Sequence, residues 1–324
     1  MNKFYEREQF IKVQDSRSSI RRGFLKKWFS NNYDVLRFFY FLAQQTRVPI
    51  IGAYFFRPIM ESYYHNFHPG SFILPRKEIE AVINNSTALS IDPCICRILN
   101  SNCDSPLYTC LRINFSAKVR QEETGRSINK DEALEIIKNA RKHGMILSLE
   151  HCIRPYHYNI CMCCSCCCVP KQFRYEFGLD VYRNGPYVPD VDKQRCQLCK
   201  KCENKCPVSA IFEKNGEIGI NIQECLGCGI CEDTCPNEVI KMIKKREICR
   251  DENEPSTINL YLKRVYLELI MVPLVFVFKF LMGSQQYIVE NIEPREKDIY
   301  GKMNIGNLQH NKANSADAKR RAAD

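Results

Sequence analysis

The cysteine run Cys196-x-x-Cys199-x-x-Cys202-x-x-x-Cys206-Pro207 recurs in this chain as Cys225-x-x-Cys228-x-x-Cys231-x-x-x-Cys235-Pro236. The two copies match register for register, and the offset from position 196 to position 225 is 29 residues. The pattern C-x₂-C-x₂-C-x₃-C-P supplies the thiolate ligands of cubane iron–sulfur clusters. A pair of zinc knuckles fits poorly, because zinc sites use C-x-x-C pairs rather than three spaced cysteines and a fourth before proline.

Residues 186–248 contain both runs and resemble the bacterial two-cluster ferredoxins. In such proteins the fourth cysteine of each run ligates the cluster of the other run. The resemblance therefore implies two [4Fe–4S] clusters with crossed ligands. The first cluster would take Cys196, Cys199, Cys202 and Cys235, and the second would take Cys225, Cys228, Cys231 and Cys206. Gly227 and Gly229 are expected to keep side chains away from the second cluster.

Composition favours reduced cysteines that act as metal ligands. The chain has 324 residues, of which twenty are cysteines and 45% are hydrophobic. Residues 1–15 are polar and charged and lack the apolar segment of a secretory signal, so we expect a cytoplasmic protein. Thiols stay reduced in that compartment, which argues against a disulfide framework. Cubane clusters in the cytoplasm also suggest an anaerobic setting.

A second cysteine-rich region occupies residues 76–185 and precedes the ferredoxin-like module. Pro93 favours an extended Asp92, which places Cys94 and Cys96 on a loop or strand with both side chains on one side. The cysteines of this region are candidate ligands of a further metal centre: Cys94, Cys96, Cys103, Cys110, Cys161, Cys163, Cys164, Cys166, Cys167 and Cys168. A third iron–sulfur cluster is favoured over zinc because an electron-transfer module lies next to the region.

The upstream motifs carry a resemblance of their own. The segment Asp92-Pro93-Cys94-Ile95-Cys96-Arg97, the run at residues 159–168 and the ferredoxin-like module resemble a group of iron–sulfur proteins of anaerobes, over roughly residues 76–240. In that group a domain with a C-x-C-R motif and a C-C-x-C-C-C-like run precedes a two-cluster ferredoxin domain. The remaining cysteines, Cys152 and Cys249, are isolated and are expected to be buried small side chains. His143, His151 and His157 are alternative ligands.

Local signals predict the elements that carry these motifs. Ser127 or Asn129 can cap a helix over Lys130–Lys142, Gly144 is placed to end it, and residues 145–150 then have the pattern of a strand. Asn215-Gly216 indicates a hairpin within the ferredoxin-like module.

The two ends of the chain are basic, aromatic or apolar. Residues 1–60 hold eleven Lys and Arg against four Asp and Glu, part of a net charge of +10 for the chain. Residues 1–75 are expected to be helical and 249–300 to form an apolar helical extension, with a disordered tail at 301–324. Residues 269–278 are too few to span a bilayer, so a buried or interfacial helix is expected. Such surfaces suit either a lipid interface or a partner protein.

These features predict an α+β fold in which a two-cluster ferredoxin-like module is joined to a cysteine-rich α/β domain, with helical extensions at both ends. The function they favour is an electron relay that works with redox partner proteins in a larger complex. Peripheral contact with the inner face of the membrane is a further expectation. No nucleic-acid motif, Rossmann glycine pattern, P-loop or flavin signature is present. The alternatives are a catalytic iron–sulfur oxidoreductase with an active cluster or thiol site at residues 161–168, and a metal-handling scaffold.

Overall fold

The computed structural model describes residues 31–66, 72–124, 126–151, 157–245, 267–292 and 295–299. The helices are α1 (Asn32–Gln45), α2 (Arg57–Asn66), α3 (Arg76–Asn85), α4 (Ile95–Asn100), α5 (Asn114–Thr124), α6 (Lys130–Lys142), α7 (Val169–Tyr175), α8 (Lys201–Lys205), α9 (Ile230–Thr234), α10 (Val272–Met282) and α11 (Gln286–Asn291). The strands are β1 (Phe72–Ile73), β2 (Leu89–Pro93), β3 (Tyr108–Ile113), β4 (Ile146–His151), β5 (His157–Cys163), β6 (Tyr187–Val191), β7 (Ile211–Lys214), β8 (Glu217–Ile220) and β9 (Ile240–Lys244). The chain is thus a mixture of helix and sheet, as the α+β expectation requires.

The cysteine-rich region is built on a five-stranded antiparallel sheet with the strand order β1-β4-β5-β3-β2. Strand side chains alternate between the two faces of a sheet. In β5, Ile160 and Met162 lie in the core that also contains α3 and α6, whereas Cys161 and Cys163 face the other way. Cys110 of β3 is paired with Cys161 across the ladder. The register of the sheet therefore gathers cysteines on the face away from α3 and α6.

Local expectations for this region are largely confirmed. Helix α6 covers Lys130–Lys142, and Asn129 and Glu132 form a reciprocal capping box with N–H···O distances of 2.9 and 2.8 Å. The expected strand follows as β4. The placement of Cys94 and Cys96 on one extended segment is wrong, because Cys94 is extended but Cys96 lies in the first turn of α4.

The ferredoxin-like module consists of a ribbon, β6–β9, and a hairpin, β7–β8, with the short helices α8 and α9 between them. The predicted turn at Asn215-Gly216 is confirmed, and both residues have positive φ. The two cysteine runs have the same local backbone. Positive φ angles occur at matched offsets in the two copies, at the pairs Leu198 and Gly227, Lys200 and Gly229, and Ser209 and Glu238. The sequence repeat is therefore also a structural repeat.

The described parts of the two terminal extensions pack against each other. Phe38 of α1 meets Phe278 of α10 with ring centroids 5.5 Å apart. Asp34 is fully buried and accepts hydrogen bonds from Arg37 at 3.0 Å and from the Gln285 amide at 3.0 Å. The side of α10 away from this contact is exposed. Among the residues that the structure describes, no helix has the length and apolarity needed to cross a membrane. The expectations for residues 1–30 and 301–324 lie outside the described residues.

Candidate metal centres

Eighteen cysteines lie in the described residues, and none of them forms a disulfide. Eight belong to the ferredoxin-like runs. Six surround a cavity in the cysteine-rich region, and four form a compact quartet beside it; the ten together are the upstream candidates. Cys152 and Cys249 fall outside the described residues. The structure thus divides one set of ten candidates into two groups with different geometry.

In the first run, three cysteines share a small cavity with a cysteine of the second run. Cys196, Cys199 and Cys202 line it together with Cys235, at a volume of about 20 Å³. The rest of the lining combines apolar side chains, among them Ile218, Val239 and Ile240, with polar ones such as Lys200 and Asn237. This is the neighbourhood that a crossed ligand set requires for the first cluster.

In the second run, Cys225, Cys228 and Cys231 have Cys206 of the first run as a neighbour. Burial raises the pKa of Cys231, and the thiols of Cys228, Cys225 and Cys206 raise it further. Burial likewise raises the pKa of Cys228, against the opposing charge of Arg141, and Cys206 again adds to the increase. Adjacent buried thiolates are unfavourable without a cation, because burial and like charges both disfavour ionisation. The set is therefore suited to a positively charged iron–sulfur core.

Gly227 has a structural role besides the one expected from the sequence. Its φ is +74°, and a Cβ atom there would collide with the backbone carbonyl oxygen of Tyr187 in β6. A Cβ atom on Gly229 would lie 3.1 Å from the Pro75 side chain. Both glycines thus let the second run approach neighbouring segments closely. Leu198, the counterpart of Gly227 in the first run, is a non-glycine residue with positive φ.

Charged contacts fix the ferredoxin-like module to the cysteine-rich region. Asp233 of α9 bonds Arg141 at 2.6 Å and Arg76 at 3.0 Å. The adjacent Glu232 pairs with Lys77 at 3.3 Å. Asp233 and Glu232 lie between Cys231 and Cys235, so these ion pairs hold the second run directly against α3 and α6.

The cavity of the cysteine-rich region has a volume of about 130 Å³. The cysteines that line it but do not belong to the quartet are Cys94, Cys96, Cys110, Cys161, Cys163 and Cys168. They come from the start of α4, from β3 and β5, and from the residue before α7. Arg97, Arg112 and Glu150 add charge to the same walls.

Hydrogen bonds between these thiols divide them into acidic and weakly acidic members. The Cys96 thiol hydrogen-bonds to Cys94 and lowers the pKa of Cys94 to about 6. Cys163 receives hydrogen bonds from Cys161 and Cys168, and these contacts lower its pKa well below the usual range. Arg97 also lowers the pKa of both Cys94 and Cys163. The same hydrogen bonds raise the pKa of their partners Cys96, Cys161 and Cys168. The cavity therefore favours a thiolate, the form that binds soft metal ions, at Cys94 and Cys163.

Arg97, the arginine of the C-x-C-R motif, has a structural role that was not assigned from the sequence. Its guanidinium is buried and donates to the Thr109 hydroxyl at 2.5 Å and to the Met162 carbonyl at 2.9 Å. It also donates to the Pro106 carbonyl. These bonds tie α4, which carries Cys96, to β3 and β5.

A buried network of ion pairs is centred on Asp92 of β2, next to the cavity. Asp92 accepts from Arg112 at 3.0 Å and from Arg120 at 2.9 Å, and Arg126 lies 3.8 Å away. Burial opposes the charge on Arg112, but the adjacent Cys110 and Asp92 outweigh it and raise the pKa of Arg112. The network joins β2 to β3 immediately before the C-x-C-R motif, so it holds Cys94 and Cys110 in place.

The quartet consists of Cys103, Cys164, Cys166 and Cys167, whose Sγ atoms all lie within 4.8 Å of one another. Burial would raise the pKa of Cys103, but hydrogen bonds from Ser105, Cys166 and Cys167 lower it to about 6. Burial and the Cys103 thiol raise the pKa of Cys166 to about 11. Four sulfurs this close can share one cation.

Tyr182 links the cavity to the second cysteine run. It lies fully buried in an apolar cluster with Cys168 and Cys228, and Cys163 packs against that cluster. Within the described residues, the Tyr182 hydroxyl has no hydrogen-bond partner.

The histidines were alternative ligand candidates. His143 is exposed and bonds the Asn139 carbonyl at 2.8 Å, away from the cysteines. The side chains of His151 and His157 lie outside the described residues.

The comparisons with known proteins agree with the cysteine spacing. Residues 195–240 match the family model of the 4Fe-4S dicluster domain. No curated protein and no solved structure matches the chain. The match covers the two cysteine runs and does not extend to the cysteine-rich region or to either terminal extension. The chain therefore contains an iron–sulfur, ferredoxin-like domain.

Proposed function

We propose that this protein is an electron carrier or electron-transfer subunit that relays single electrons through two [4Fe–4S] clusters. The observation that carries the proposal is the reciprocal exchange of one cysteine between the two runs. Cys196, Cys199, Cys202 and Cys235 would hold the first cluster, and Cys225, Cys228, Cys231 and Cys206 would hold the second. Bound clusters supply one-electron storage, and the potential depends on burial and on hydrogen bonds to sulfur.

The protein side of this function is insulation and positioning. Ile218, Val239 and Ile240 close the first site with apolar side chains. The backbone N–H of Ala210 lies 3.2 Å from the Cys206 sulfur, a hydrogen bond of the kind that tunes cluster potentials. The ion pairs of Asp233 keep the second run fixed against the cysteine-rich region. No proton transfer is required.

We also propose a further iron–sulfur centre in the six-cysteine cavity. Its thiols include two with lowered pKa, and its walls are rigid because Arg97 and the Asp92 network hold them. The apolar cluster around Tyr182 joins Cys163 and Cys168 to Cys228. The same cluster contains the buried Tyr182 hydroxyl, which has no partner within the described structure. The cavity would thus continue the relay from the second cluster.

Metal analysis of the anaerobically purified protein tests this arrangement. Two clusters give about eight iron and about eight sulfide per chain, and a third gives about twelve of each. Replacing Cys163 by Ser should lower about twelve to about eight. Ile160→Leu is the matched control, because Ile160 lies in β5 on the core side, is not among the residues that line the cavity, and the change conserves volume. About eight iron in both the unmodified protein and Cys163→Ser would refute the cavity centre, and clearly fewer than eight would refute the two-cluster relay.

The second candidate is a catalytic iron–sulfur oxidoreductase that uses the same cavity. The observation that favours it is the charge on the walls, where Arg97, Arg112 and Glu150 accompany the cysteines around about 130 Å³. A spectrum of the upstream centre that changes on addition of small anions would support this candidate, and an unchanged spectrum would leave the relay.

The partner surface that we propose is the exposed side of α10. Phe276, Phe280 and Leu281 are 70%, 81% and 72% exposed, whereas Val275 and Phe278 of the same helix pack inward. An apolar face of this kind suits a redox partner protein in a larger complex, or peripheral contact with lipid.

Flotation with anionic liposomes at low salt distinguishes lipid contact from a protein partner. Co-flotation of the protein with the liposomes indicates lipid contact, and its absence leaves the protein partner. Nucleic acid is not expected.

A further inference from the structure

We propose that Cys103, Cys164, Cys166 and Cys167 bind a single metal ion in a closed tetrahedral shell of four thiolates, with zinc as the preferred ion. This site is separate from the two ferredoxin clusters and from the centre in the six-cysteine cavity. It does not depend on the electron-transfer proposal, because its evidence is the geometry of four other sulfurs.

The sulfur spacing is that of one ion rather than of a cluster. The Cys103 Sγ atom lies 3.9 Å from that of Cys164 and 3.6 Å from that of Cys167, and the Cys166 and Cys167 sulfurs are 3.8 Å apart. In a tetrahedral zinc site with Zn–S bonds of about 2.3 Å, neighbouring sulfurs are separated by about 1.6 times that length, or about 3.8 Å. A cubane distributes its thiolates over four iron atoms, so its ligand sulfurs must stand farther apart.

The backbone around the quartet is already held in the binding arrangement. Asn102 donates to the Cys166 carbonyl at 3.2 Å, and Asn100 donates to the Cys167 carbonyl at 2.9 Å. Gln172 of α7 donates to the Cys166 carbonyl at 3.4 Å. These amides join the loop after α4 to the turn between β5 and α7 and orient the cysteines that the two segments carry. Such outer contacts fix ligand geometry in metal sites.

The chemistry of the site indicates a structural role. All four positions of the shell are thiolates, which leaves no position for water or substrate, and closed four-cysteine shells are typical of structural zinc. Cys164 and Cys167 also line the six-cysteine cavity, whereas Cys103 and Cys166 do not. A bound ion would therefore fasten one wall of the cavity without entering it.

The test is zinc, iron and sulfide analysis of the full chain produced anaerobically in medium that contains both metals. We expect one zinc per chain in the unmodified protein and its loss in Cys166→Ala, with iron and sulfide unchanged. Cys166 is exposed, and the described hydrogen bonds to its neighbours Asn102 and Gln172 use its backbone carbonyl, so Cys166→Ala should fold. Cys166→His should retain the ion, because Cys₃His is also a zinc shell.

Cys161→Ala is the matched control, since it removes a cavity cysteine outside the quartet and should leave zinc unchanged. One iron lost from Cys166→Ala without sulfide would also support a mononuclear site and would identify its ion as iron. Loss of iron together with sulfide would overturn the proposal in favour of a cluster. Equal metal content in the unmodified protein, Cys166→Ala and Cys166→His would overturn it as well.

Discussion

The double variant Cys199→Ala/Cys235→Ala is expected to lose one [4Fe–4S] cluster and to keep the other with unaltered spectra. The two cysteines belong to different runs, but both line the first small cavity, so the crossed arrangement removes two ligands from one cluster. A cubane with only two protein ligands should not persist, because each iron needs a ligand from the protein. Ferredoxin-domain iron should fall from about eight to about four per chain, and the second site should be intact.

Cys199→Ala/Cys206→Ala is the reciprocal control, because it also removes two cysteines but takes both from the first run. Cys206 lies near Cys225, Cys228 and Cys231, so this variant removes one ligand from each cluster and should damage both. If each run instead held its own cluster, the two results would exchange places. Iron and sulfide counts with spectra of the reduced protein therefore decide between the crossed and uncrossed arrangements.

Asp92→Asn should destabilise the protein by about 3–5 kcal/mol, which is the usual effect of removing one partner from a buried ion pair. Asp92 is 2% exposed and is bonded to Arg112 and Arg120 at 3.0 and 2.9 Å. An amide would leave these buried guanidinium groups without their counter-charge. The midpoint of chemical unfolding under anaerobic conditions measures the effect.

Asp180→Asn is the matched control, since it removes an aspartate–arginine pair on the surface. Asp180 bonds Arg183 at 2.7 Å but its side chain is 73% exposed, so the change should be within about 1 kcal/mol. Equal effects of Asp92→Asn and Asp180→Asn would contradict the role assigned to the buried network.

The pH dependence of this contribution follows from the sign of the pKa shift. Burial alone would raise the pKa of Asp92, but Arg120, Arg112 and Arg126 outweigh burial and lower it. The stabilisation is therefore fully present above the unfolded-state pKa of about 3.9 and is lost as the pH falls through the lower folded-state pKa. The difference between the unmodified protein and Asp92→Asn should accordingly shrink only below about pH 4.

The ferredoxin-like domain was predictable because its information is local. Each run places three candidate cysteine ligands within seven residues, and the same spacing recurs from Cys225 onward. The helix over Lys130–Lys142 was predictable for the same reason, since its cap and its apolar stripe lie within one segment. Such features need no knowledge of which segments meet in space.

The grouping of the upstream cysteines could not be obtained in this way. Cys103 is far from Cys164 in sequence, and only the packing of the loop after α4 against the turn after β5 brings them together. Cys110 and Cys161 are neighbours because of the strand register. The position of Tyr182 between the cavity and the second cysteine run also depends on tertiary packing. For Arg97, by contrast, the sequence did contain a signal, because this arginine is part of the C-x-C-R motif.

An anaerobic reductive titration monitored by EPR tests whether this chain relays electrons through two [4Fe–4S] clusters with crossed ligands. We predict reversible uptake of at least about two electrons per chain, with a reduced spectrum that shows magnetic interaction between two neighbouring paramagnetic clusters. A protein that contains iron and sulfide but takes up about one electron, or none, or gives only isolated cluster signals, would contradict this relay.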